Sequence, residues 1–73
     1  MIFYGYERGR KRIMELREAT VHCTIEELDN IIEFLIQVRD EHKPYGNDGT
    51  CHTHYRDWDR SWTDEQSDFI VIT

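Results

Sequence analysis

The sequence predicts one small, acidic α+β domain over residues 1–73, ordered ββαββ, with one amphipathic helix packed on a small, mainly antiparallel four-stranded sheet. Three observations predict it. An aromatic and β-branched block opens the chain, a capped helix with a periodic apolar stripe occupies its middle, and an apolar run, Phe69-Ile70-Val71-Ile72, closes it. The mean hydropathy of -0.76 and the 33 % charged residues would suit a disordered chain if spread evenly. Their concentration outside these blocks is what permits a core.

Ile2 to Glu7 has strand composition, with Ile2, Tyr4 and Tyr6 on one face and Phe3 on the other. Arg8-Gly9-Arg10-Lys11 follows as a turn, the glycine supplying a positive-φ position. The next strand, about Arg12 to Cys23, alternates in two phases: Met14 and Leu16 belong to one, Ala19, Val21 and Cys23 to the other. A bulge near Arg17 and Glu18 would reconcile them, since one extra residue moves every later side chain to the opposite face.

The helix is predicted from about Thr24 to His42. Thr24-Ile25-Glu26-Glu27 fits a capping box, and its glutamates suit the positive end of the helix dipole. Ile25, Leu28, Ile31, Ile32, Leu35 and Val38 recur at three- and four-residue steps and form the expected core stripe. Phe34 and Ile36 fall outside its centre, as expected of a thick core or a partner surface. Pro44 is expected to end the helix by pushing Lys43 out of the α region. A glycine-rich loop, Tyr45 to Thr50, leads to a third strand over Cys51 to Tyr55. Arg56 to Gln66 is polar and turn-like except for Trp58 and Trp62, and Asp68 to Thr73 is a fourth strand, expected to be buried on both faces or paired in an interior place.

A chain of 73 residues buries only about 60 % of its unfolded surface, so the core must be thin and dimerisation or a bound partner is expected to add stability. The net charge of -6 opposes nucleic-acid binding. Arg8, Arg10, Lys11 and Arg12 are expected to be a solvated hairpin tip. No apolar run suits a membrane span and the first residues do not resemble a signal peptide, so the cytoplasm is the expected compartment. Cys23 and Cys51 match no zinc spacing and are expected as reduced thiols.

Chemistry, if any, concentrates between Cys51 and Asp59. On a strand His52 and His54 share a face and Cys51 points away, which disfavours a Cys-His pair. The two histidines with His22 or an aspartate would make a zinc or nickel site, but no spacing supplies the remaining ligands, so no metal or other cofactor is assigned. Asp57 and Asp59 are close, yet so short a chain has little volume for a water-excluding pocket, and no catalytic residues are assigned. Trp58 and Trp62 stand among charged residues; either both complete the small core or at least one of them anchors an interface.

The stretch Gly49-Thr50-Cys51-His52-Thr53-His54-Tyr55-Arg56-Asp57-Trp58, followed by Ser67-Asp68-Phe69-Ile70-Val71-Ile72, resembles small bacterial immunity proteins of polymorphic toxin systems, of the immunity protein thirty-two type. Those carry a His-x-His-aromatic-x-Asp segment, a short polar spacer and an Asp-hydrophobic strand. The likeness runs from Gly49 onward, is weaker in the helix and does not extend to the N-terminal hairpin. It implies a protein that binds and neutralises a cognate, possibly basic, toxin domain, with His52, His54, Asp57, Trp58, Asp59 and Trp62 as contact residues. The alternatives are a small structural or oligomerising domain, such as a homodimer, and, ranked after it, a metal-binding protein using His52 and His54.

Overall fold

The computed structural model describes residues 1–73. The chain runs β1 (Phe3–Gly5), β2 (Met14–Leu16), α1 (Ile25–His42), a 3-10 turn (Lys43–Tyr45), β3 (His52–His54), α2 (Tyr55–Trp58) and β4 (Ile70–Ile72). The α+β class and the sequence of four strands around one long helix are those the sequence predicts, but a short helix, α2, stands between β3 and β4 where Tyr55 is expected to end a strand and Arg56 to Gln66 to be turn-like. The four strands, however, form two separate antiparallel pairs, β1 with β2 and β3 with β4, instead of one sheet.

Register explains the character of each pair. In β1–β2, Phe3 lies opposite Leu16 and Gly5 opposite Met14, so these four share a face. A Cβ on Gly5 would come within 3.1 Å of Leu16 Cδ1, which is why the leucine settles over a glycine. The turn Glu7 to Arg10 is closed by the Arg10 amide donating to the Glu7 carbonyl at 3.1 Å. Its third residue, Gly9, has φ 74°, while no other residue type in the chain has positive φ, so the turn is type II. β2 stops at Leu16, the chain bends at Arg17, and Glu18 to Cys23 pairs with nothing. The two phases of that segment thus reflect the end of the strand and not a bulge within it.

In β3–β4, the paired residues are His52 with Ile72, Thr53 with Val71 and His54 with Ile70. Bonds between Cys51 and Thr73 and from the Tyr55 amide to the Phe69 carbonyl extend the ladder at both ends. Cys51, Thr53, Tyr55, Phe69, Val71 and Thr73 are all half-buried, whereas His52, Ile70 and Ile72 are exposed. This period-two alternation defines an inner and an outer face. β4 is therefore an edge strand with one covered face, and not the doubly buried strand expected from its unbroken apolar run.

Helix α1 begins as predicted. The Glu27 amide donates to Thr24 Oγ1 at 3.1 Å and the Thr24 amide to Glu27 Oε1 at 2.9 Å, completing the capping box. Its end differs: Lys43 keeps an α conformation (φ -52°, ψ -42°), and Pro44 enters the first turn of the 3-10 segment, where its missing N–H costs little. The chain turns away only at Gly46, with φ 75°.

The core is smaller than the helix stripe suggested. Only Phe34, Val38 and His42 are buried, at four-residue steps along one line of the helix. Ile31 is half-buried, while Ile25, Leu28, Ile32 and Leu35 are exposed. Phe34, expected off-centre, is the one fully buried large side chain, and Ile36 is 47 % exposed. The reason is tertiary. Tyr55, Trp58 and Phe69 come to α1 on the Phe34 side, with ring centroids 5.2, 5.8 and 6.0 Å from that of Phe34. Edge-on and tilted packing of this kind adds to the burial of the rings.

Phe34→Ala is expected to cost about 3–5 kcal/mol, whereas Val21→Ala, at a position open to solvent, should stay within about 0.5 kcal/mol. Urea unfolding of the two variants checks the contrast; equal losses would place the core elsewhere.

Candidate functional site

The residues singled out by sequence fall on β3, α2 and the loop between α2 and β4, and the structure gives them distinct environments. His52 lies on the outer face of β3, exposed, with its ring centroid 5.7 Å from that of His54. His54 shares that face but turns to Asp68, its Nδ1 2.6 Å from Asp68 Oδ2. Asp68 Oδ1 also accepts from the amides of Arg56 at 3.0 Å and Phe69 at 2.9 Å, and the Arg56 guanidinium stands 3.7 Å from Oδ2. Asp68 thus ties the end of β3 to the start of α2 and to the entry of β4.

Burial of Asp68 works to raise its carboxyl. The bonds from His54, Arg56 and Phe69, with the charge of His54, outweigh burial and hold it below the ordinary 3.8. The sequence motif containing His54 and Asp68 therefore has a structural basis: its two halves are bonded to each other.

Trp58 packs on Phe34 and donates from Nε1 to Gln37 Oε1 at 2.9 Å. Trp62 donates from Nε1 to the Ser67 carbonyl at 3.0 Å, closing the loop that carries it. Both indoles are half-buried. The one acidic residue between them, Asp59, is held by Ser61. Asp59 Oδ1 accepts from the Ser61 amide at 3.0 Å and the Ser61 hydroxyl at 2.7 Å, and these bonds lower its carboxyl despite partial burial. Burial, the bond to Asp59 and the negative charges of Asp59 and Glu27 push the Tyr55 phenol up to about 12. Asp57 alone of the carboxylates expected here projects freely, with its side chain 73 % exposed and Arg56 Nε 3.9 Å away.

No three His, Cys, Asp or Glu side chains converge as a metal site needs, and Cys23 and Cys51 are both free. No helix is long and apolar enough to cross a membrane. Compared with protein-family models, curated proteins and solved structures, the chain matches none.

Sequence reasoning missed two residues. His42 is buried, its Nε2 2.8 Å from Thr53 Oγ1 and its Nδ1 3.0 Å from Thr73 Oγ1. A neutral imidazole offers one donor and one acceptor, which two hydroxyls can match. It pins the last turn of α1 to both strands of the sheet. The available signal was its place four residues after Val38 and eight after Phe34. Asp68 was named only as part of the motif, because His54 and Arg56, which it joins, stand on β3 and α2 more than ten residues earlier in the chain.

Two predictions follow from these bonds. Asp68→Asn is expected to cost about 1–2 kcal/mol at neutral pH by weakening a charge-assisted cluster. The folded value of Asp68 lies below 3.8, so its stabilisation is complete above about pH 5 and is lost as pH falls through that folded value. The variant should show a shallower acid decline in thermal midpoint. For Tyr55, the folded state holds its proton up to about 12 against an ordinary 10.0, so stability falls as pH rises between those values. Phenolate absorbance should show a step near pH 12 that Tyr55→Phe abolishes; persistence of that step would assign it to another tyrosine.

Proposed function

We propose that this chain is a non-catalytic binding protein that neutralises a cognate bacterial toxin domain by direct contact. The observation that carries the reading is the hydrogen-bonded frame of the segment from His54 to Asp68, which leaves the Asp57 carboxylate exposed. Tyr55 and Trp58 pack against Phe34, Trp62 is fastened to Ser67, and Asp59 to Ser61. Asp57 is left pointing outward on this frame. A surface ordered before it meets its partner loses less entropy on binding.

The same segment carries the resemblance to the immunity proteins, and its charge fits the reading. With a net charge of -6, the chain would attract a basic toxin domain and speed encounter, at a rate that falls with salt. In this arrangement His52 and Asp57 make polar contacts. Trp58 and Trp62 offer the uncovered edges of anchored rings, and His54 and Asp59 hold the surface in shape while presenting their remaining polar atoms.

The test is co-expression with the product of the gene next to that for this chain, which the reading requires to encode a toxin domain. The wild type should restore growth and co-purify with the toxin. Asp57→Lys should weaken the complex roughly tenfold, mainly through slower and less salt-sensitive association, with an unchanged thermal midpoint. Failure of the wild type to bind or protect overturns the reading, and full-strength binding by Asp57→Lys removes this surface from it.

A further inference from the structure

The outer face of β3 carries two imidazoles side by side. His52 lies opposite Ile72 and His54 opposite Ile70, so both rings rise from one face, two residues apart. Their centroids are 5.7 Å apart, with 74° between the ring planes. The other two histidines are placed differently: His42 is buried with both nitrogens bonded to threonine hydroxyls, and His22 stands in the unpaired stretch before α1.

The nitrogens of His54 have separate surroundings. Nδ1 lies 2.6 Å from Asp68 Oδ2, and a carboxylate there fixes the tautomer with the proton on Nδ1 and a lone pair on Nε2. Asp68 stands beyond His54 on the side away from His52, since its Oδ1 accepts from the Arg56 amide further along the chain. Nε2, across the imidazole from Nδ1, is therefore turned back toward the exposed ring of His52.

We infer that His52 and His54 Nε2 form an open chelate for one imidazole-preferring divalent cation of the zinc and nickel class, with Asp68 as the outer carboxylate that positions His54. The inference does not rest on the toxin-binding proposal. Three observations carry it. The first is separation: an ion about 2.0–2.1 Å from one nitrogen of each ring, in tetrahedral geometry, holds the two centroids roughly 5 Å apart. At 5.7 Å, a small turn of the His52 ring closes the chelate without moving the backbone.

The second is the bond between His54 and Asp68. Ligating histidines donate their other ring N–H to a carboxylate or carbonyl, which orients the ring and makes the ligating nitrogen more basic. Asp68 is itself fixed by the amides of Arg56 and Phe69. The third is the backbone between the ligands. Thr53 is paired with Val71 and its hydroxyl is 2.8 Å from His42 Nε2, so the two histidines project from a strand that is already held in place.

The Arg56 guanidinium, 3.7 Å from Asp68 Oδ2, opposes a second cation nearby. Its side chain is half exposed and screened by water, and the net charge of -6 favours a cation over the surface as a whole. No third His, Cys, Asp or Glu joins the pair. Two positions of a four-coordinate ion are thus left for water or for a donor brought by another molecule, and the ion exchanges readily, unlike a closed structural zinc. Mg2+ and Ca2+, which require oxygen ligands, are not held.

The experiment is calorimetric titration of the tag-free, reduced chain with Zn2+, with no toxin present, alongside nitrogen NMR of the histidine rings. One ion should bind per chain with a dissociation constant on the order of 100 μM or tighter, through Nε2 of His54, and Mg2+ should give no response. His52→Ala, at an exposed position, should weaken binding at least tenfold at an unchanged thermal midpoint. Asp68→Asn should weaken it about ten- to hundredfold, whereas His22→Ala and Cys23→Ser should change nothing. Absence of saturable binding overturns the inference. Binding that survives both His52→Ala and His54→Ala overturns it too, by placing the ion elsewhere, and undiminished affinity in Asp68→Asn overturns the part given to Asp68.

Discussion

The structure depends on the burial of one side chain. Phe34 is completely enclosed, and the rings that enclose it come from α2 and from the strand entry at Phe69. Helix and C-terminal sheet therefore meet through an aromatic contact instead of a broad aliphatic layer. Such rings bury much area per residue with only two side-chain torsions to fix, an efficient solution where the chain is too short for a thick core. Val38 and His42 continue the contact one turn at a time toward the end of the helix.

So thin a core leaves orientation to polar bonds. His42 sets the far end of α1 against Thr53 and Thr73, while Asp68 sets the junction of β3, α2 and β4 through His54, Arg56 and Phe69. Each joins segments distant in sequence, and each is substantially covered, where an unmade hydrogen bond is costly. The acidic surface proposed to meet a toxin rests on this scaffold. Its rigidity and the small core are two consequences of one arrangement, in which Tyr55 and Trp58 pack inward from the same turn that points Asp57 outward.

The N-terminal hairpin obeys a different balance. Ile2, Phe3, Tyr4, Tyr6 and Ile13 all remain open to solvent, and a two-stranded pair alone is marginal in water. Its tip is held to the rest by the Arg8 guanidinium donating to the Glu65 carbonyl at 2.7 Å. Together with the bare stripe of α1, it leaves much of the chain's apolar surface exposed.

Local physics was legible in the sequence, and partnership was not. The capping box at Thr24, the glycine turn at Gly9 and the face alternation that separates Cys51 from His52 and His54 rest on contacts within a few residues, and all appear as expected. Periodicity showed that α1 is amphipathic but not which part of its apolar surface would be covered, because Ile32 and Phe34 are both apolar yet lie on nearly opposite sides of the helix, and only the approach of Tyr55, Trp58 and Phe69 chooses between them. Likewise the run from Phe69 to Ile72 announced a strand without revealing that it would pair on one edge alone. The sequence by itself determined the capped helix, the order of that helix and the four strands, and the acidic charge. Tertiary structure decided that Phe34, His42 and Asp68 would hold them together, since burial and hydrogen bonding at those residues depend on segments that meet only when the chain is folded.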